Sequence, residues 1–397
     1  MAANPSWALR GWSAFTWVAA PLLQRHLRKR IARGKEDPAR WREKLGETAA
    51  LRPDGSLIWL HAVGLGEVLA LRGLIHKLNA LAPDLSFLVT SNTLGSAQVF
   101  AENLPPRTRH QFAPIDTPQA ARRFLDHWRP DLAIWAEQEL WPGLVLRTDQ
   151  RGIPLAMVNA RMNAVSFTKR KKAAALYADA LARFALVSAQ DKATAQHLTA
   201  LRAKAVRVDG SLKVIAPPLA GQRQTDLDGL VWVLASSHPA DEAVAIAAHR
   251  KVLETNPNAV LVIVPRNVGR AAQISSILPE GDAFRVVDTL GALGDWYRTA
   301  TMACIGGTFG DTEGHNPWEA VQLDCAVAHG PRTANFAADY VALADTAVAV
   351  RDADTLAAAV LRADHAALSA AAKRVLMQKQ GQFDVICADL LHLMERS

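Results

Sequence analysis

The chain has 397 residues, half of them hydrophobic and 21% charged, which supports two or three domains with sizeable cores and excludes a disordered tail. Its three cysteines (Cys304, Cys325, Cys387) form no CxxC pair and its 12 histidines show no HExxH spacing, so a disulfide scaffold and a thiolate zinc site are excluded and no metal or cofactor is expected. The net charge of +7 is concentrated: residues 1–48 carry ten Lys/Arg against four Asp/Glu, a balance of +6, so the rest is nearly neutral and a chain-wide nucleic-acid footprint is not supported.

The first predicted element is a helix. Residues 11–24 carry no charge and include Trp12, Phe15, Trp17, Val18, Leu22 and Leu23. That run is shorter than the ~20 apolar residues of a spanning helix. Arg25, Arg28, Lys29, Arg30, Arg33 and Lys35 follow the run, whereas a cleaved signal peptide has its basic residues in front. The order suits a helix lying in a membrane interface, with tryptophans at headgroup depth, basic residues on anionic lipid and the body on the cytoplasmic side. The alternative is a docked soluble helix with a solvated basic flank.

Beyond residue 48, short β-branched runs alternate with alanine-rich helical stretches. Strands are expected at 57–63, 87–90, 132–135, 155–158 and 184–187, then at 231–234, 260–264, 284–287, 302–305 and 326–328. Strands spaced by helices indicate parallel α/β sheets. The Pro/Gly-rich polar stretch 216–229 reads as a linker. The fold class is therefore α/β: a membrane-anchoring segment 1–48 and two Rossmann-like domains facing a cleft, 49–216 and 217–397. The last predicted helix, from 354 to about 394, could pack on either half.

In doubly wound sheets ligands bind beyond the carboxyl ends of strands, so the loops after the apolar runs hold the candidates. The first reads His61-Ala62-Val63-Gly64-Leu65-Gly66-Glu67. Gly64 and Gly66 allow a tight turn and close ligand approach. Glu67 opens a helix, either as a carboxylate able to take a proton from a sugar hydroxyl or as a residue that only stabilises the helix dipole. Glu137 and Glu139 follow the 132–135 run and could bind hydroxyls, orient Glu67, or act as a solvated residue and a cap. Arg161 follows the 155–158 run, and Lys213 at the domain junction could reach a ligand phosphate. In the second half Ser236 and Ser237 end a strand as a phosphate cradle, and Arg266 could pair with a phosphate or sit in a structural ion pair. The glycine-rich stretch 306–319 holds Gly307, Gly314, His315, Asn316 and Glu319. Amides at the helix start there face an anion, and Glu319 could accept hydrogen bonds from a ribose diol.

Taken together and in order, these segments resemble the 3-deoxy-D-manno-oct-2-ulosonic acid (Kdo) transferases of lipopolysaccharide synthesis. The resemblance runs from Trp41-Arg42-Glu43-Lys44-Leu45-Gly46 through residues 61–67, 137–142, 159–161, 210–213, Pro265-Arg266 and 306–319 to Gly330-Pro331 and Asn335-Phe336. It implies a glycosyltransferase B-type fold on the cytoplasmic face of the bacterial inner membrane, anchored by the N-terminus. It also implies CMP-Kdo as donor, a lipid A precursor (lipid IVA) as acceptor and Glu67 as general base. Arg266, Gly314, His315, Asn316 and Glu319 would then hold the CMP part, with Glu137 and Glu139 on the acceptor side. The leaving group is a monophosphate ester, stable as an anion, so no metal is required.

Four positions depart from that pattern: Gly64 stands for a usual serine, Asn267 for histidine, Glu313 for glycine and Trp318 for leucine. Glu313 brings negative charge to a nucleotide phosphate, which weakens donor binding unless an arginine or lysine pairs with it. Two other readings stay open on the residues: a B-type transferase using another nucleotide sugar, and a non-catalytic paralogue that binds lipid or a partner.

Overall fold

Apolar runs of four to seven residues, too short for helices and rich in Val, Ile and Leu, pair as buried parallel strands. The computed structural model describes residues 4–395 except Asn103, Gln138, Glu139 and Asp228, and the backbone alone of Leu65. The chain forms two compact units. The first runs to Ala216 and resumes at Gly381; the second is Pro217–Gln380.

The first unit contains β1 (Leu57–His61), β2 (Ser86–Ser91), β3 (Thr108–Phe112), β4 (Leu132–Ala136), β5 (Leu155–Ala160), β6 (Leu186–Ala189) and β7 (Val206–Val208). They form one parallel sheet in the order β3-β2-β1-β4-β5-β6-β7. The second contains β8 (Val231–Ser237), β9 (Val260–Pro265), β10 (Phe284–Val286), β11 (Met302–Ile305), β12 (Ala326–His329) and β13 (Val348–Ala349), parallel in the order β10-β9-β8-β11-β12-β13. Both orders reverse once, between β1 and β4 and between β8 and β11. Loops leaving these strands in opposite directions open a crevice at the strand ends, where α/β sheets bind ligands. Trp59 of β1 and Trp135 of β4 pack edge to face at 4.8 Å inside the first core. Trp232 and Leu234 of β8 centre the second.

The C-terminal stretch is two helices, Ala353–Val360 and His365–Glu395, where one was expected. Arg362 pairs with Asp364 at the break, and aspartate is a favoured residue just before a helix start. Beyond Gly381 the last helix belongs to the first unit, where Asp384 takes Lys77 and Asp389 takes Arg207.

The N-terminal helix is Trp7–Ala32, capped by Ser6. Leu9, Thr16, Ala20 and Leu27 are buried, and the Trp12 indole donates to Asp116 at 2.7 Å. Trp7, Phe15, Trp17, Val18 and Leu22 stand 60–81% exposed. No helix among the described residues is long and apolar enough to cross a membrane. Not every basic residue in this region is solvated: Lys44 is buried against Glu36, which also takes Arg30.

Candidate active site

In the first unit the chain leaves β1 at His61 and turns through Gly64 into the Leu65–Leu81 helix. The Glu67 side chain folds back over this turn, and its Oε2 accepts the amides of Val63 (2.9 Å) and Gly64 (3.0 Å). Two amide donors hold the carboxylate in one orientation at the carboxyl end of β1. Glu137, directly after β4, stands beside it in the left-handed region, at φ 63°. Burial, reinforced by the adjacent Glu67 carboxylate, raises its pKa to about 8 although Lys213 and Arg161 pull it down. Burial and the adjacent carboxylate thus favour the protonated form of Glu137 near neutrality. Asn159, also left-handed and buried, closes the site from β5: its Nδ2 lies 3.5 Å from Glu137, and its Oδ1 accepts the Leu212 amide beside Lys213.

His61 is fully buried as the last residue of β1, not in the loop. Its Nδ1 meets the Thr90 hydroxyl at 2.9 Å, its Nε2 has no partner among the described residues, and burial lowers its pKa to about 4. It is a neutral imidazole. Gly66 is already helical, and a Cβ there would meet open space, so the turn uses Gly64 and not the freedom of Gly66. Lys213, expected with the donor, lies in the first unit within electrostatic reach of Glu137. Arg161 is half-buried after β5. Glu139 lies outside the described residues.

In the second unit, Ser236 at the end of β8 is left-handed (φ 56°), and its carbonyl lies where a Cβ on Gly306 would be, at 2.4 Å. Only glycine allows β8 and the loop after β11 to approach this closely. The expected phosphate cradle is largely filled from within the protein. The Asp241 carboxylate accepts the amides of Gly307 (2.6 Å), Thr308 (3.1 Å), Phe309 (3.0 Å) and His238 (2.9 Å). The Gly307 amide is thus committed to an internal anion. The Ser237 hydroxyl is committed too, to Glu242, which Arg270 grips with both terminal nitrogens. The sequence signal for Asp241 was its place three residues after His238, with Pro239 at the helix start.

Arg266 is exposed immediately after β9. His315 stacks on His238, with Nε2 atoms 2.9 Å apart. Asn316 Nδ2 donates to Glu319 at 3.1 Å, and its Oδ1 takes the Trp318 amide. The helix that starts there, Trp318–Gln322, is a single turn with its first amide already occupied, so it offers an anion less than expected. Gly314 is left-handed at φ 85°, and its amide returns to the Gly307 carbonyl.

Residues 39–216 match the family model described as 3-deoxy-D-manno-octulosonic-acid transferase (kdotransferase). A mitochondrial protein of Arabidopsis thaliana carrying that name is 34% identical over 82% of this chain and 80% of its own length. The chain belongs to the Kdo transferase family. A Rickettsia typhi Kdo transferase is 31% identical over 70% of this chain, which spans 64% of that protein. A glycosyltransferase from Rickettsia africae aligns with 87% of this chain and all of its own, with a TM-score of 0.58 at 9% identity, a likeness of fold alone. The two parallel sheets of this Kdo transferase are thus those of a B-type glycosyltransferase.

Glu313 is left-handed (φ 63°), as a glycine would be, and its carboxylate pairs with Arg332 (Nε at 2.9 Å), so its charge is offset. Trp318 is fully buried and its indole donates to Asp339, which makes it a core residue. Asn267 caps the turn after β9 by accepting the Gly269 amide. Gly64 has an extended backbone, and the nearest atoms a Cβ there would meet are those of the Glu67 carboxylate, from 3.5 Å.

Proposed function

We propose that this Kdo transferase moves Kdo from CMP-Kdo to a hydroxyl of a lipid A precursor, lipid IVA, in lipopolysaccharide biosynthesis, with Glu67 as general base and without a metal. The observation that supports it is the Glu67 carboxylate, pinned by two amides where the strand order of the first sheet reverses, beside a buried Glu137 whose pKa is raised. Glu67 takes the proton of the acceptor hydroxyl. The oxygen so freed bonds to the anomeric carbon of Kdo, the bond from that carbon to the phosphate oxygen breaks, and CMP leaves with the electron pair. Glu137 donates a hydrogen bond to Glu67 and keeps a second negative charge out of the acceptor site. On the donor side Arg266 has the exposure to meet the departing phosphate, and the Asn316–Glu319 pair is a candidate for the ribose. The exposed tryptophan stripe and basic flank of the N-terminal helix support attachment to anionic lipid on the cytoplasmic face of the inner membrane.

The test is a detergent assay with CMP-Kdo generated in situ and lipid IVA, read by mass spectrometry. A mass gain of Kdo units that persists in EDTA is expected, and Glu67→Gln should lower turnover by ~10²–10⁴ while leaving CMP binding intact. Near-normal turnover of Glu67→Gln would remove Glu67 from the base role. Loss in EDTA added after the donor has been formed would overturn metal independence. Competition by UDP instead of CMP would move the donor to another nucleotide sugar.

A further inference from the structure

A cavity of about 410 Å³ lies between the N-terminal helix and the Pro118–Trp128 and Pro142–Asp149 helices, lined by Trp17, Arg122, Arg123, Arg147 and Arg151 among others. Four guanidinium groups line this space, and three of them share two carboxylates. Arg123 pairs with Glu47 (2.9 Å) and Arg151 with Asp126 (2.5 Å), while Arg122 stands 3.8 Å from Asp126. Arg147 has only neutral partners, Gln150 and Ser13, and its Nε is buried with no hydrogen-bond partner among the described residues. Gathering like charges around a concave space is unfavourable unless an anion enters, and a guanidinium fork matches phosphate oxygens in pairs.

We propose that this cavity is a binding site for a phosphate-bearing anion, separate from the Glu67 site. Two sources share that chemistry: the headgroup of an anionic lipid and a free phosphomonoester. Trp17, 60% exposed on the stripe of the N-terminal helix, puts the cavity beside the proposed membrane face, and the lipid source rests on that reading. The site itself does not.

The experiment uses the full chain. Calorimetry measures glycerol 3-phosphate and dihexanoyl phosphatidic acid, and sedimentation measures phosphatidylcholine vesicles with and without phosphatidylglycerol. Arg122→Gln/Arg123→Gln alters two exposed side chains and should keep the fold. It is compared with Arg28→Gln/Lys29→Gln, which removes the same charge from the basic flank. The cavity pair should weaken phosphate binding about ten-fold, and the flank pair should leave it unchanged. Binding of both soluble probes identifies a free-phosphate site. Binding only of phosphatidic acid or anionic vesicles identifies a headgroup site. If wild type ignores every vesicle but still binds glycerol 3-phosphate through these arginines, the membrane reading fails and the site stands. Equal losses for the two charge-matched pairs, or none for the cavity pair, would overturn the site.

Discussion

At Glu137 burial and the neighbouring Glu67 carboxylate compete with Lys213 and Arg161, and the first two win, lifting the pKa from 4.5 to about 8. A carboxyl with a raised folded pKa binds its proton more tightly in the folded chain. Stability from this group is therefore fully present below about pH 4.5 and is lost as pH rises to about 8, by at most about 1.4 kcal/mol per pH unit. Glu137→Gln stays neutral throughout. Its stability relative to wild type should climb across that window in urea unfolding, and a difference constant with pH would mean that Glu137 ionises normally in the fold. Gly64 offers a simpler test. Its extended backbone suits any residue, a Cβ has room, and serine is a better N-cap than glycine. Gly64→Ser should stabilise the chain by a few tenths of a kcal/mol without loss of turnover. A fall in thermal midpoint would show that the added hydroxyl disturbs the Glu67 carboxylate.

At the scale of elements, the glycine-rich loop after β11 is held by charges that motif reading did not supply. Its glycines and the Asn316–Glu319 spacing were visible in the sequence, because backbone approach and helix starts need particular residue types. Asp241 showed only as a helix-start residue and Arg332 not at all, because both arrive from elsewhere in the chain to meet the loop amides and Glu313. The strands show the same division. Buried strands announced themselves as apolar runs, whereas β3, β7 and β13 are outermost in their sheets: β3 is the largely polar Thr-Arg-His-Gln-Phe, and β7 and β13 are only 3 and 2 residues long. The Arg332–Glu313 contact also makes a prediction. Arg332→Ala leaves an unpaired carboxylate on the loop and should weaken CMP binding roughly two- to five-fold, as befits a partly exposed pair. Adding Glu313→Gly should restore it, since glycine suits φ 63°. Calorimetric titration of CMP into the two variants would decide, and a double variant as weak as the single would break the link.

For the whole molecule, the N-terminal helix has one face packed on protein and one exposed. The sequence displayed its tryptophans and basic flank but not which residues would be buried, because that depends on the surface beneath. Leu9, Thr16, Ala20 and Leu27 face the first unit and Trp12 bonds Asp116, so deleting the helix would uncover buried groups as well as remove a lipid-facing stripe. Substitution on the exposed face separates the two roles. Trp7→Ser/Phe15→Ser/Leu22→Ser alters side chains that are 81%, 62% and 70% exposed. The triple variant should keep the wild-type thermal midpoint and its turnover of a water-soluble acceptor analogue, while binding to anionic vesicles falls roughly ten-fold as buried apolar area is lost from the interface. Unchanged vesicle binding would transfer attachment to the basic flank and the arginine cavity. A lowered midpoint would instead mean that the stripe packs against protein, which makes the helix a structural element rather than an anchor.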